Sequence, residues 1–221
     1  MRPQQGVPKV SSTNAAWSAD SAVIPRDIFV DPEIYKAELQ RIFKGPTWHL
    51  VAHESEMPAA GDYKRSSIAD VPIFVVRGQD GILRGFVNAC AHRGTELANR
   101  KRGNTSNAIR CIYHGWRYEL NGKLRSVPLP EGFPEGFKKE DHGLTPIRVE
   151  SFRGCVFATL HKDTLPLQRY LGDKICECIA DALGEGNLIY LGSQSMTFRC
   201  NWKLYAENIV DSYHPDRKSV V

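Results

Sequence analysis

The sequence predicts an α+β protein in which an all-β domain is set between two stretches of mixed helix and strand. Three observations carry this. Apolar residues recur at helical spacing near both ends, and short runs of β-formers separated by Gly, Asn, Asp and Pro fill Trp48 to Leu160. The composition is that of a globular chain, 42% hydrophobic and 24% charged over 221 residues. The expected domains are an N-terminal arm and helix at 1–46, the β domain at 47–160, and the start of a further α+β domain at 161–221.

Met1 to Asp20 is polar and rich in Pro, Ser, Asn and Gln, with no apolar core before a cleavage site, and reads as a loose cytoplasmic arm. The first helix follows Asp31-Pro32-Glu33, an N-cap with proline at the first helical position. Ile34, Tyr35, Leu39, Ile42 and Phe43 then share a stripe until Gly45-Pro46 ends it. The strand candidates are Trp48–Ala52, Asp62–Ser66, Ile73–Arg77, Ile82–Asn88, Ala108–Cys111, Trp116–Leu120, Ile147–Glu150 and Cys155–Leu160. So many short strands argue for a small antiparallel sandwich or barrel. Pro166 to Leu183 returns to helical spacing, Leu188–Leu191 and Met196–Cys200 look like strands, and Trp202 onward is helical again.

Composition also excludes functions. The longest apolar runs, Val71–Val76 and Cys155–Leu160, fall far short of the roughly 20 residues a membrane helix needs. A net charge of +4, with basic residues dispersed apart from Arg100 to Arg102, is too weak for a nucleic-acid footprint. Six cysteines without a secretion signal indicate a reducing compartment, hence free thiols or metal ligands rather than disulfides.

The sharpest signal is Cys90-Ala91-His92 followed, 18 residues later, by Cys111-Ile112-Tyr113-His114. With this many Cys and His, chance supplies about 0.2 instances of each short pair, so both together are rarer still. Each pair follows a predicted strand and leads into a glycine, Gly94 or Gly115, so two loops at one end of a sheet can each present a thiolate and an imidazole. Two soft sulfurs and two nitrogens suit zinc as well as iron and sulfide, and ordinary buried Cys and His are the plainer alternative. Common Cys2His2 zinc sites keep the cysteines in one pair and the histidines in the other. Here each loop carries one of each, the interleaving that a [2Fe-2S] cluster with Cys on one iron and His on the other requires. This resembles the Rieske motif. Trp116 and the Pro128-Leu129-Pro130 turn could shield such a cluster or simply fill the core.

Cys90-Ala91-His92-Arg93-Gly94, Cys111-Ile112-Tyr113-His114-Gly115-Trp116, Asn201-Trp202-Lys203-Leu204-Tyr205-Ala206-Glu207-Asn208 and Asp211-Ser212-Tyr213-His214 are together similar, in order and spacing, to the large subunit of aromatic-ring-hydroxylating dioxygenases. The resemblance runs from about Ile28 to Pro215. It implies a Rieske domain inserted in a helix-grip catalytic domain. It also implies a mononuclear Fe(II) that activates O2 to hydroxylate an aromatic ring, with an aromatic acid as the substrate class. Electrons would come from an NAD(P)H-dependent reductase, often through a ferredoxin. A small subunit can accompany the large one, a full-length protein would be homotrimeric, and no nucleic acid or membrane is involved. By the same resemblance His214 is an iron ligand, Asp211 links a neighbouring subunit's Rieske histidine to the iron site, and Asn208 lines that site. Asn208, Asp211 and His214 stand at i, i+3 and i+6, on one helix face.

The chain departs from the family where the iron pocket should close, because Lys218, Ser219, Val220 and Val221 supply no second histidine after His214. One protein ligand cannot define an iron geometry, so the sequence reads as a C-terminally truncated subunit, inactive alone. The rival from another class is a stand-alone Rieske electron carrier, and a third reading is a zinc-stabilised binding module. Cys155 and Cys200 are expected to pack, and Cys176 and Cys178 diverge on one helix. His49, His53, His142 and His161 lack partnered spacing. Arg100-Lys101-Arg102 could dock an acidic ferredoxin, although a solvated loop is the plainer reading. No glycine-rich phosphate loop is present to bind NAD(P)H.

Overall fold

The computed structural model describes residues 24–184 and 188–210, which fall into two compact units, 24–35 with 197–210, and 36–196. Among the described residues four α-helices occur in chain order, α1 (Asp27–Val30), α2 (Pro32–Glu38), α3 (Leu167–Leu183) and α4 (Trp202–Val210). The strands are β1 (His49–His53), β2 (Asp62–Ile68), β3 (Val71–Arg77), β4 (Leu83–Val87), β5 (Arg102–Asn104), β6 (Ile109–Arg110), β7 (Arg117–Tyr118), β8 (Leu124–Ser126), β9 (Pro146–Phe152) and β10 (Cys155–Thr159).

In the smaller unit the Asp31 carboxylate accepts from the Glu33 N–H at 2.7 Å, the predicted cap of α2. Asn201 caps α4 in the same way, accepting from the Lys203 N–H at 3.1 Å while its amide donates to the Phe29 carbonyl at 3.1 Å. The larger unit holds a seven-stranded antiparallel sheet in the order β1-β10-β9-β4-β3-β2-β5 and a three-stranded sheet in the order β6-β7-β8. Alternation along the strands sorts side chains into separate cores. Met57, Ile68, Ile73, Val75 and Val156 fill one, while Phe74, Val76, Phe86, Leu97, Trp116 and Tyr118 fill a second that also takes in Cys90 and Cys111. Trp48, Phe157 and Leu167 anchor α3 to the sheet in a third.

Every predicted strand between Trp48 and Leu160 is present, and two more appear, β5 and β8. The expected strands Leu188–Leu191 and Met196–Cys200 are absent. Among the described residues these segments have no ladder partner, and Leu191 is 96% exposed, so a short run of β-formers alone does not make a strand there. Cys200, expected to pack, is exposed. Among the described residues no helix is long and apolar enough to cross a membrane.

Candidate metal centre

The two Cys/His loops have the same backbone design. In the first, the Cys90 N–H donates to the Thr95 carbonyl at 2.9 Å and the Gly94 N–H to the Cys90 carbonyl at 2.8 Å. In the second, the Cys111 N–H donates to the Trp116 carbonyl at 2.8 Å and the Gly115 N–H to the Cys111 carbonyl at 3.0 Å. Each turn closes through a glycine at φ +70°, a left-handed conformation that a side chain would strain. The loop after β4 and the loop between β6 and β7 therefore present their Cys and His side chains from equivalent turns.

The sulfurs lie inside and the imidazoles outside. Cys90 and Cys111 are 3% and 2% exposed, whereas His92 and His114 are half-buried with ring centroids 4.7 Å apart. Burial pushes the Cys90 thiol above its ordinary range, opposed by a hydrogen bond to Tyr118 and reinforced by the neighbouring Cys111 thiol. Desolvation, aided by the charges of His114 and Arg93, lowers the His92 pKa and favours the neutral ring whose lone pair can bind a metal. His114 Nδ1 is buried with no hydrogen-bond partner, an orphaned nitrogen of the kind a metal would satisfy.

Among the described residues no three His, Cys, Asp or Glu side chains converge as a single metal ion would require. The donor set is instead two pairs, sulfur beside sulfur and imidazole beside imidazole. A cluster of two irons, each taking two protein ligands, fits these residues.

Residues the sequence did not single out hold the pairs in place. Asn88, fully buried at the end of β4, accepts from the Leu97 and Ala98 N–H groups, both at 2.9 Å, and donates to the Ala98 carbonyl at 3.0 Å, closing the first loop. The Tyr118 hydroxyl stands 3.0 Å from Cys90 Sγ and accepts from the Ala91 N–H at 3.1 Å. Burial, first, and Cys90 raise the Tyr118 pKa far above its ordinary value, so it stays a neutral phenol that can donate to the sulfur. The Trp116 ring stacks on His92 at 4.9 Å and 3°, and Phe133, Phe137 and His142 surround its edges. Trp116 is thus both core filler and cover. His142 lacked partnered spacing in sequence because its partners, Phe137 and Trp116, reach it through the fold. Leu129 is 73% exposed, with Pro128 packed beside Gly115.

Of the remaining predicted site residues, Asn208 lies exposed on α4, and Asp211 and His214 lie outside the described residues.

Comparison with known families gives one match that decides the matter, the Rieske [2Fe-2S] domain over residues 47–149. The chain carries a Rieske domain. It is 41% identical over 201 residues to the anthranilate 1,2-dioxygenase large subunit of Burkholderia cepacia, covering 88% of this chain and 47% of that protein. It is 38% identical over 202 residues to a terephthalate 1,2-dioxygenase terminal oxygenase subunit of Comamonas sp., covering 89% and 48%. Naphthalene 1,2-dioxygenase from Rhodococcus sp. shares its fold at a TM-score of 0.79 and 36% identity, covering 86% of this chain and 44% of that one. The Rieske chain thus spans about half the length of the curated relatives it matches. The first two of these relatives are named as oxygenase subunits.

Proposed function

We propose that this Rieske chain is the electron-receiving part of a terminal oxygenase large subunit that hydroxylates an aromatic acid, with Cys90, His92, Cys111 and His114 as its [2Fe-2S] ligands. The observation that carries this is the pairing of two buried thiols and two half-buried imidazoles on equivalent loops, one imidazole with an unsatisfied nitrogen. When bound, a cluster held this way exchanges one electron at between about −150 and +300 mV, well above a plant-type ferredoxin near −400 mV. The chain's own residues do the rest. Tyr118 donates to the Cys90 sulfur, Asn88 fixes the loop, and Trp116 keeps water from one face of His92. His92 and His114 remain half-buried, where an imidazole can hand on an electron.

The aromatic-acid reading is supported by relatives named for anthranilate, toluate, terephthalate and salicylate. The oxygen-activating Fe(II) belongs to the same proposal, with His214 as a ligand, Asp211 as the link to a neighbouring subunit and Asn208 at the pocket wall, all resting on the motif. The electron relay is what the described residues support. A reductase or ferredoxin donor, a small subunit and a trimer are further parts of the proposal, supported by relatives named as oxygenase components. A cytoplasmic setting is supported by cysteines that are all unpaired.

The test is metal analysis with EPR on anaerobically purified chain. The expected result is about two irons and two acid-labile sulfides per chain, with a nitrogen-coupled signal on reduction that His114→Ala abolishes. A colourless, zinc-loaded protein overturns the proposal.

A further inference from the structure

The solvent face of the β6-β7-β8 sheet carries three arginines that the relay does not use. Arg110 on β6 stands directly opposite Arg117 on β7, and Arg125 is the extra residue where β8 slips register against β7. All three are exposed, and together with Thr105, Ser106 and Asn107 they line one open depression of about 520 Å³ that no carboxylate enters. Among the described residues none of the three guanidiniums has a salt bridge or a side-chain hydrogen bond. Of the three acids that share a neighbouring depression with Arg125, Asp80 and Glu119 are engaged elsewhere, while Glu140 is exposed and makes no salt bridge among the described residues. Asp80 is held by Arg84 at 2.6 Å, and the Glu119 carboxylate accepts from the Asn121 amide at 3.0 Å. A directly opposed pair of like charges on a two-residue ladder costs stability, so an unneutralised set of three marks a face built to meet anions.

The position of this face gives the anion its identity. Arg110 precedes Cys111 and Arg117 follows Trp116, so the arginines occupy the back of the hairpin whose front supplies Cys111 and His114. The basic run noted in sequence is not equivalent. Arg102 is already committed, 4.0 Å from buried Glu56 and 5.2 Å over the Tyr190 ring.

We infer that Arg110, Arg117 and Arg125 form the docking surface for an acidic one-electron carrier protein that reduces this chain. The inference rests on the relay proposed above, because only a one-electron centre behind the face gives such a carrier something to reduce. In the encounter the carrier is oxidised by one electron and this chain is reduced by one, and no atoms are exchanged. The arginines act before the transfer, by raising the local concentration of the carrier and fixing which side it presents.

The test uses the iron-loaded chain and a reduced plant-type ferredoxin as the acidic carrier, in stopped flow across a range of salt. Arg110→Gln/Arg117→Gln/Arg125→Gln should lower the second-order rate about tenfold at low salt and flatten its salt dependence. Reduction by dithionite and the EPR spectrum should be unchanged, and the corresponding triple lysine variant should recover most of the rate. A glutamine variant reduced at the wild-type rate with the wild-type salt slope overturns the inference. So does a rate loss accompanied by a change in oligomeric state, which would make the face a contact between copies, or a lysine variant that recovers nothing. Wild-type chain that holds no cluster would instead overturn the relay itself, and metal analysis registers that before any kinetics.

Discussion

Replacing Asn88 by alanine isolates what holds the first ligand loop. The side chain makes three hydrogen bonds, to Leu97 N–H, Ala98 N–H and the Ala98 carbonyl, in a site with no solvent exposure. Asn88→Ala strands two buried donors and one acceptor, and a stranded buried group costs roughly 1–3 kcal/mol. Relaxation and water entry recover part of this, leaving an expected loss of about 3–5 kcal/mol. Asn104 is the matched control. It also makes three hydrogen bonds, to Ala60, Asp62 and Ser106, but on the surface. Water replaces them in Asn104→Ala, for a loss of about 1 kcal/mol or less. With a urea dependence of about 2 kcal/mol/M, the midpoint should fall by roughly 1.5–2.5 M for Asn88→Ala and by less than about 0.5 M for Asn104→Ala. Amide exchange at Leu97 and Ala98 should accelerate only in the first. Equal midpoint shifts in the two variants would refute the reasoning, because burial would then not decide the worth of the bonds.

Three further outcomes are expected. Tyr118→Phe keeps the buried ring but removes the hydroxyl 3.0 Å from Cys90 Sγ, a donor that favours the more negative reduced state. Its reduction potential should fall by roughly 20–60 mV, the equivalent of about 0.5–1.4 kcal/mol for one electron, and a titration showing no fall would contradict the role given to that hydroxyl. Gly94→Ala and Gly115→Ala both place a side chain at φ +70°, costing about 1–2 kcal/mol each, but only at Gly115 would the new Cβ meet Pro128, at 3.2 Å. Gly115→Ala should therefore be the more destabilised in thermal unfolding, and the reverse order would count against the loop description. Arg117→Gln removes the repulsion with Arg110 and should stabilise the chain by about 0.2–1 kcal/mol, so a lower melting temperature would show that the pair is compensated.

The ligand loops were legible in sequence because all they need is local. A strand end leads into a Cys, a His two or three residues on and, four residues after the Cys, a glycine for the left-handed turn, and the chain contains that unit twice. The α2 cap and the longer strands were legible for the same reason. β5 and β8, Arg-Gly-Asn and Leu-Arg-Ser, carry no run of β-formers and are strands only because β2 and β7 pair with them. The converse error, strands read at 188–191 and 196–200, came from short runs of β-formers with no partner to satisfy the backbone.

What the sequence determined by itself was the chemistry of the centre, since ligand type and loop spacing are properties of a few adjacent residues. Tertiary structure decided which loop supports which. Asn88 reaches Ala98, Tyr118 reaches Cys90 across 28 residues, and Arg125 joins Arg110 and Arg117 on one face. Burial, hydrogen-bond satisfaction and charge balance are set by neighbours in space, and no spacing along the chain encodes them.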